Sequence, residues 1–170
     1  VADLVAAHPP PSAVAVGVGP GSFTGLRAAA SLGQGLAGGW GIPCVGVAAA
    51  EAIAATVGDM PGRALWIAIA ARPGHIHLIR GSEAAVFALP DLQLPDGPIA
   101  VAGDAAPLAA AWLAARGADV LLTAAREPSA EAIAEIAHAR VAGTRAPMPP
   151  LPLYGEAPRV TAAPRRPAPV

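Results

Sequence analysis

"GVGPGSFTGLR" spans Gly17 to Arg27, with four glycines and a proline in one short stretch. An apolar run with β-branched residues, Ser12 to Val18, leads in, and apolar residues at helical spacing over 24–38 lead out. A strand that feeds a helix through a glycine turn leaves unpaired backbone N–H groups at the helix N-terminus. Those groups, together with the helix dipole, attract anions. Gly19, Gly21, Ser22, Thr24 and Gly25 are therefore the candidate anion or nucleotide turn. The stretch nevertheless departs from both common phosphate-binding patterns. A P-loop needs a lysine and the chain contains none, while the G-x-G-x-x-G spacing breaks after Gly17 and Gly19. The same residues also suit a plain scaffold, with Thr24 capping the helix and the glycines supplying positive φ.

Moving outward, Ile42 to Val47 reads as a second buried strand, and Ala48 to Val57 as a helix stopped by Gly58. Strand, helix, strand, helix with short links predicts parallel βαβ units. "DMPG", Asp59 to Gly62, marks a boundary, after which the pattern changes. Ala64–Ala70, His75–Arg80 and Ala84–Leu89, separated by turn residues, predict an antiparallel meander. A proline-rich loop follows, then a strand at Ile99–Asp104, a helix over 105–116, a strand at Ala118–Thr123, and a helix from Ser129 to Val141 with Ser129 as its N-cap. Ala2 to Ala7 reads as the end of a helix, Pro149 to Pro164 as extended chain, and "RRPAPV" at the C-terminus as disordered. These patterns divide the chain into 1–58, 59–146 and a proline-rich extension, 147–170.

Composition narrows the function. The chain has 170 residues, 54% of them apolar, and alanine dominates, so the core is built from small side chains. The net charge of −1 and the lack of a basic stripe before the tail argue against this chain alone gripping nucleic acid. The single cysteine, Cys44, excludes an internal disulfide and fits a reducing compartment. No apolar stretch long enough for a membrane span is free of Gly and Pro breaks, and no signal peptide opens the chain.

Other chemistry is sparse. His75 and His77 alternate on one strand and share a face, but no nearby Cys, Asp or Glu completes a metal site. His8 and His138 are isolated. Asp104 follows a strand and suits a helix cap, Glu51 an ion pair, and Glu131 with Glu135 a solvated helix face. Nothing suggests a Ser/His/Asp or Cys/His set.

"GPGSFTGLR" is also a family signature. The chain resembles the TsaB (YeaZ) family, bacterial proteins needed to make threonylcarbamoyladenosine in tRNA. Further landmarks come in the family's order: Ile42 to Val47, "AARPGHIH" at Ala70 to His77, "VAGDA" at Val101 to Ala105, and "PLYGEAPRVT" at Pro152 to Thr161. The resemblance implies an α/β fold of the ASKHA type, actin-like and ribonuclease-H-like, with two subdomains, the first of them incomplete because about fifty N-terminal residues of the family pattern have no counterpart. Two departures stand out. Ala70 replaces the Asp of the family's D-A-R-like run, and Gly155 and Glu156 replace Leu-Arg in the last motif.

The family's catalytic paralogue, TsaD, carries two metal-binding histidines that align with Ala49 and Ile53, and neither side chain can ligate a metal. The resemblance therefore implies a cytoplasmic, non-catalytic subunit without metal or cofactor. It would pair with a TsaD-like subunit and a TsaE-like ATPase, meeting tRNA only through the complex, or form a homodimer. Two rival readings are a glycoprotease-like peptidase or acyltransferase, and a stand-alone nucleotide-binding module. Within helix 24–38, Leu26, Ala29, Gly33, Leu36 and Ala37 form one apolar stripe and Ala28, Leu32 and Gly35 another, so one stripe is expected on the sheet and the other on a partner. Leu26, Ala28, Ala29, Leu32, Gly33, Gly35 and Leu36 are the candidate interface.

Overall fold

The computed structural model describes residues 10–154. The expected helix end at Ala2–Ala7 and the tail beyond Tyr154 lie outside the described residues. The chain folds as mixed α/β, in the expected element order. β1 (Val14–Gly19), α1 (Phe23–Trp40), β2 (Cys44–Ala48) and α2 (Ala49–Val57) come first. They are followed by β3 (Ala64–Ala70), β4 (His75–Arg80), β5 (Glu83–Ala88), β6 (Ile99–Ala102), α3 (Ala106–Ala114), β7 (Val120–Leu122) and α4 (Ala130–Val141).

β1 and β2 pair in parallel, Val14 opposite Cys44 and Val16 opposite Gly46. α1 lies on one face of this pair. Its buried residues are Ala30, Gly33 and Ala37, with Leu26 half-buried a turn earlier. This 4-3-4 spacing is one narrow stripe of a helix. Of the first stripe, Leu26, Gly33 and Ala37 turn toward the sheet, but Ala29 is exposed and Ala30 takes the inward position. A two-stranded sheet is narrow, so only the residues squarely over it are covered. Gly33 has to be glycine, because a Cβ there would strike Val16 Cγ2.

The opposite face of the pair is closed from the far end of the chain. Val45 and Val47 pack with Ala52 of α2 and with Ala132, Ile136 and Ala137 of α4. Ser129 caps α4 as expected, its Oγ accepting from Ala132 N at 3.0 Å. Glu51 finds its ion-pair partner in Arg140, whose Nη2 donates to both carboxylate oxygens at 2.8 and 2.9 Å. Arg140 Nη1 also donates to Gly46 O at 3.1 Å, and its Nε to Ala146 O at 2.9 Å. The Arg140 side chain is only 5% exposed, and its guanidinium donates to these four acceptors.

The second sheet has five strands in the order β5-β4-β3-β6-β7. The meander is antiparallel, and β6 and β7 run parallel to β3. One face carries Trp66, Ile76, Leu78, Ile99 and Val101 against Ala106, Ala109 and Leu113 of α3. The other face sets Ile67, Ile69 and Ala102 against Ala49 and Ile53 of α2. α2 is thus shared: Ala52 belongs to the first sheet's core, Ala49 and Ile53 to the second's.

Candidate functional site

The glycine turn joins β1 to α1. Gly19 has φ +103°, and an added Cβ would lie 2.7 Å from Leu26 Cδ1, so both backbone and space require glycine. Ser22, not Thr24, is the N-cap: its φ and ψ of −55° and 122° are non-helical, and its Oγ accepts from Gly25 N at 3.4 Å. Thr24 already sits in the first helical turn and is not the capping residue; this corrects the expected cap. Gly21, Ser22, Thr24 and Gly25 are all exposed.

The turn forms one rim of a cleft of about 250 Å³. Gly17, Gly19, Pro20, Gly21 and Leu26 come from the β1–α1 side, Ala49 and Ile53 from α2, and Ile69 from β3. Asp104, Arg126, Glu127 and Pro128 complete the lining. Asp104, Arg126 and Glu127 are the charged residues of the lining, and the rest of it is apolar or glycine. Asp104 was expected to cap the next helix. Instead Ala105 occupies the N-cap position, and Asp104 Oδ1 accepts from Ala70 N at 2.8 Å, tying the end of β3 to the loop after β6. The cause is Gly103, which at φ +104° brings its Cα against Ala68 O and turns the Asp104 side chain back over the sheet. Arg126 donates to the carbonyls of Thr123 and Ala125, so its guanidinium is committed to its own loop.

Ala49 and Ile53 stand on the cleft wall, both buried, and offer no lone pair to a metal. Among the described residues no three His, Cys, Asp or Glu side chains come together. His75 Nδ1 lies 3.1 Å from Pro73 O. His77 stands opposite Ile69 and Val86 and lines a second hollow with Pro20, Ile79 and Tyr154. Burial pushes the His77 imidazole below its ordinary value, and the Asp104 carboxylate pulls it part of the way back. Burial raises the Cys44 thiol, with a backbone hydrogen bond to Val45 opposing it. His138, Glu131 and Glu135 are exposed on α4.

The structure separates the candidate interface residues of α1. Leu26 and Gly33 face the sheet, Leu36 is half-buried at the flank, and Ala28, Ala29, Leu32 and Gly35 face outward. Leu32 is 58% exposed.

An uncharacterized Pseudomonas aeruginosa protein with similarity to peptidase YeaZ superposes with a TM-score of 0.67 at 23% identity, over 91% of this chain and 80% of that one. YeaZ from Pseudomonas aeruginosa superposes with a TM-score of 0.65 at 24% identity, over 90% and 81%. The chain has the YeaZ fold. This is the ASKHA-type α/β architecture that the signature implied. Residues 9–90, which hold the glycine turn, α2 and the meander, match the family described as TsaD: tRNA N6-adenosine threonylcarbamoyltransferase. No curated protein matches the chain. The chain thus shares the fold of the YeaZ structures and, over residues 9–90, the pattern of the TsaD family.

Two features escaped the sequence reading. Arg140 was not singled out, although an arginine in the last turn of a helix is a signal for carbonyl and carboxylate contacts. Gly46 was passed over as one more small residue of a strand. No helix among the described residues is long and apolar enough to cross a membrane.

Proposed function

We propose that this YeaZ-like chain is a non-catalytic subunit of the system that forms threonylcarbamoyladenosine in tRNA. It pairs with a TsaD-type catalytic subunit through the outer face of α1, and a TsaE-like ATPase serves the pair in the cytoplasm. The observation that carries this reading is the outer face itself. A glycine inside a helix costs about 1 kcal/mol relative to alanine. Gly35, Gly38 and Gly39 have open space where a side chain would stand, so nothing among the described residues requires them. Beside them, Leu32 offers an exposed apolar side chain. Small residues around one large one allow a second helix to approach closely and bury that leucine.

The cleft supports the non-catalytic half of the proposal. Its titrating groups are Asp104, Arg126 and Glu127, and its wall at Ala49 and Ile53 is hydrocarbon. A peptidase or acyltransferase needs a nucleophile beside a base, and this lining supplies neither pair. tRNA is handled by the complex, in keeping with a net charge of −1. The test is reconstitution. Product on tRNA is expected only when a TsaD-type subunit is added, and product from this chain alone would overturn the proposal.

One observation favours a second reading. The exposed N–H groups of the turn rim a cleft with an apolar floor, which suits a nucleotide. Calorimetric titration with ATP and ADP separates the two: saturable heat from the isolated chain supports the nucleotide module, and its absence supports the scaffold.

A further inference from the structure

After α4 the chain returns along residues 148–154 and runs beside α1 on the same face of the first sheet. Three hydrogen bonds hold this strap. Gly46 N donates to Met148 O at 2.9 Å, Gln34 Nε2 donates to Pro150 O at 3.1 Å, and Leu153 N donates to Val18 O at 2.7 Å. Pro149, Pro150 and Pro152 stiffen it, so little conformational entropy is lost on docking. A Cβ on Gly46 would strike Pro149 O, which explains a glycine in the middle of a buried strand.

The strap's contacts converge on the glycine turn. Val18, the last residue before it, accepts the Leu153 N–H. Gly19 has Leu153 O 3.1 Å from where its Cβ would be. Phe23, the first residue of α1, stacks on Tyr154 with ring centroids 5.2 Å apart, and Arg27 covers the same ring at 4.6 Å. Within the turn, the side-chain support is the long Ser22 cap of 3.4 Å, and the residues from Gly21 to Gly25 are exposed. The strap therefore touches the turn before, inside and after its bend.

We propose that residues 148–154 are a clamp that sets the conformation of the glycine turn, with Leu153 and Gly46 as its positioning residues. This inference is independent of which partner or ligand the chain takes. Two substitutions in the full chain test it. Gly46→Val drives a side chain into the strap. Leu153→Pro follows another proline, keeps the extended backbone and removes the donor to Val18 O, exchanging a part-exposed leucine side chain for the proline ring. Amide hydrogen exchange is read at residue 46 for the strap, whose N–H donates to Met148 O, at Gly25 and Leu26 for the turn, whose N–H groups donate to Ser22, and at Trp66 to Ile69 as the reference. In Leu153→Pro, strap and turn amides are expected to exchange about tenfold faster, the scale of one hydrogen bond, with the reference unchanged. Strap amides that speed up while the turn stays protected would overturn the clamp. So would a strap that neither substitution loosens. Should Gly46→Val unfold the chain, Leu153→Pro decides; if that also exposes the reference amides, the strap supports the whole fold and the clamp is wrong.

Discussion

The two sheets of this molecule are held together in different ways. The five-stranded sheet is closed by its own neighbourhood: Trp66, Leu78, Ile99 and Leu113 fill one face with help from the adjacent helix α3. The two-stranded sheet relies on groups remote in the sequence. Its second face is covered by α4, its β2 edge is capped by Arg140 and by the strap, and its turn rests against Leu153. Small residues explain the contrast. A core of Ala, Gly and Val buries little area per residue, at roughly 25 cal/mol per Å², so the first sheet needs polar and long-range ties to hold its shape. That also leaves the glycine turn and the outer face of α1 at the less stable end of the molecule, where binding surfaces are commonly found.

The largest expected effect breaks the well-packed side. Leu113 is fully buried, and Leu113→Ala should cost about 2–5 kcal/mol, visible as a lower denaturation midpoint with an unchanged slope. Next comes the tie that replaces packing. Arg140→Met removes the donor to Gly46 O and leaves Glu51 only the longer contact to Arg145 at 3.7 Å; because Glu51 is a third exposed, the cost is set at about 2 kcal/mol. Amide exchange should show this loss in β2 and α4 and leave β3 and β6 protected. Equal loss in both sheets would mean that they unfold as one unit and that the contrast has no energetic content.

A pair of glycines sharpens the comparison within α1. Gly33→Ala places a methyl group against Val16 Cγ2 and should destabilise by about 1–3 kcal/mol. Gly35→Ala meets nothing among the described residues and should stabilise by up to about 1 kcal/mol. Thermal melts of the two variants should therefore move in opposite directions. The smallest effect concerns His77. Its folded-state pKa is lowered, so the unfolded chain binds the proton more readily, and stability falls as pH drops through the ordinary histidine value near 6.5. His77→Gln should flatten that fall in denaturation curves recorded between pH 7 and pH 5. An equal fall in the variant would assign the acid sensitivity to other groups.

Much of the fold was legible in the sequence because the elements are short, strongly patterned and punctuated by glycine and proline. β3 to β5 announce themselves by alternation and turns, and Gly58 and Ser129 end and start their helices as their chemistry requires. The cap at Ser22 was misplaced because serine and threonine compete at neighbouring positions, and only the backbone angles decide which is outside the helix. Ala29 was grouped with Leu26 and Gly33 because alanine carries too little hydrophobic signal to distinguish 29 from 30. The cleft was half legible. "GPGSFTG" gave its rim, but Asp104, Arg126 and Ala49 meet it only through the crossing of two sheets, and no local pattern reports that. The strap's grip on Gly46 and Val18 spans about a hundred residues, and sequence periodicity is blind to contacts at that distance.

The central claim is that α1 presents its outer face to a partner, and sedimentation velocity of the chain mixed with a TsaD-type subunit tests it most directly. The wild-type chain should sediment with that subunit as a complex. Leu32→Arg should abolish the complex while circular dichroism stays unchanged, because the side chain is already in solvent, whereas Ala30→Arg should unfold the chain by burying an unpaired charge. A folded Leu32→Arg chain that still forms the complex would contradict the claim.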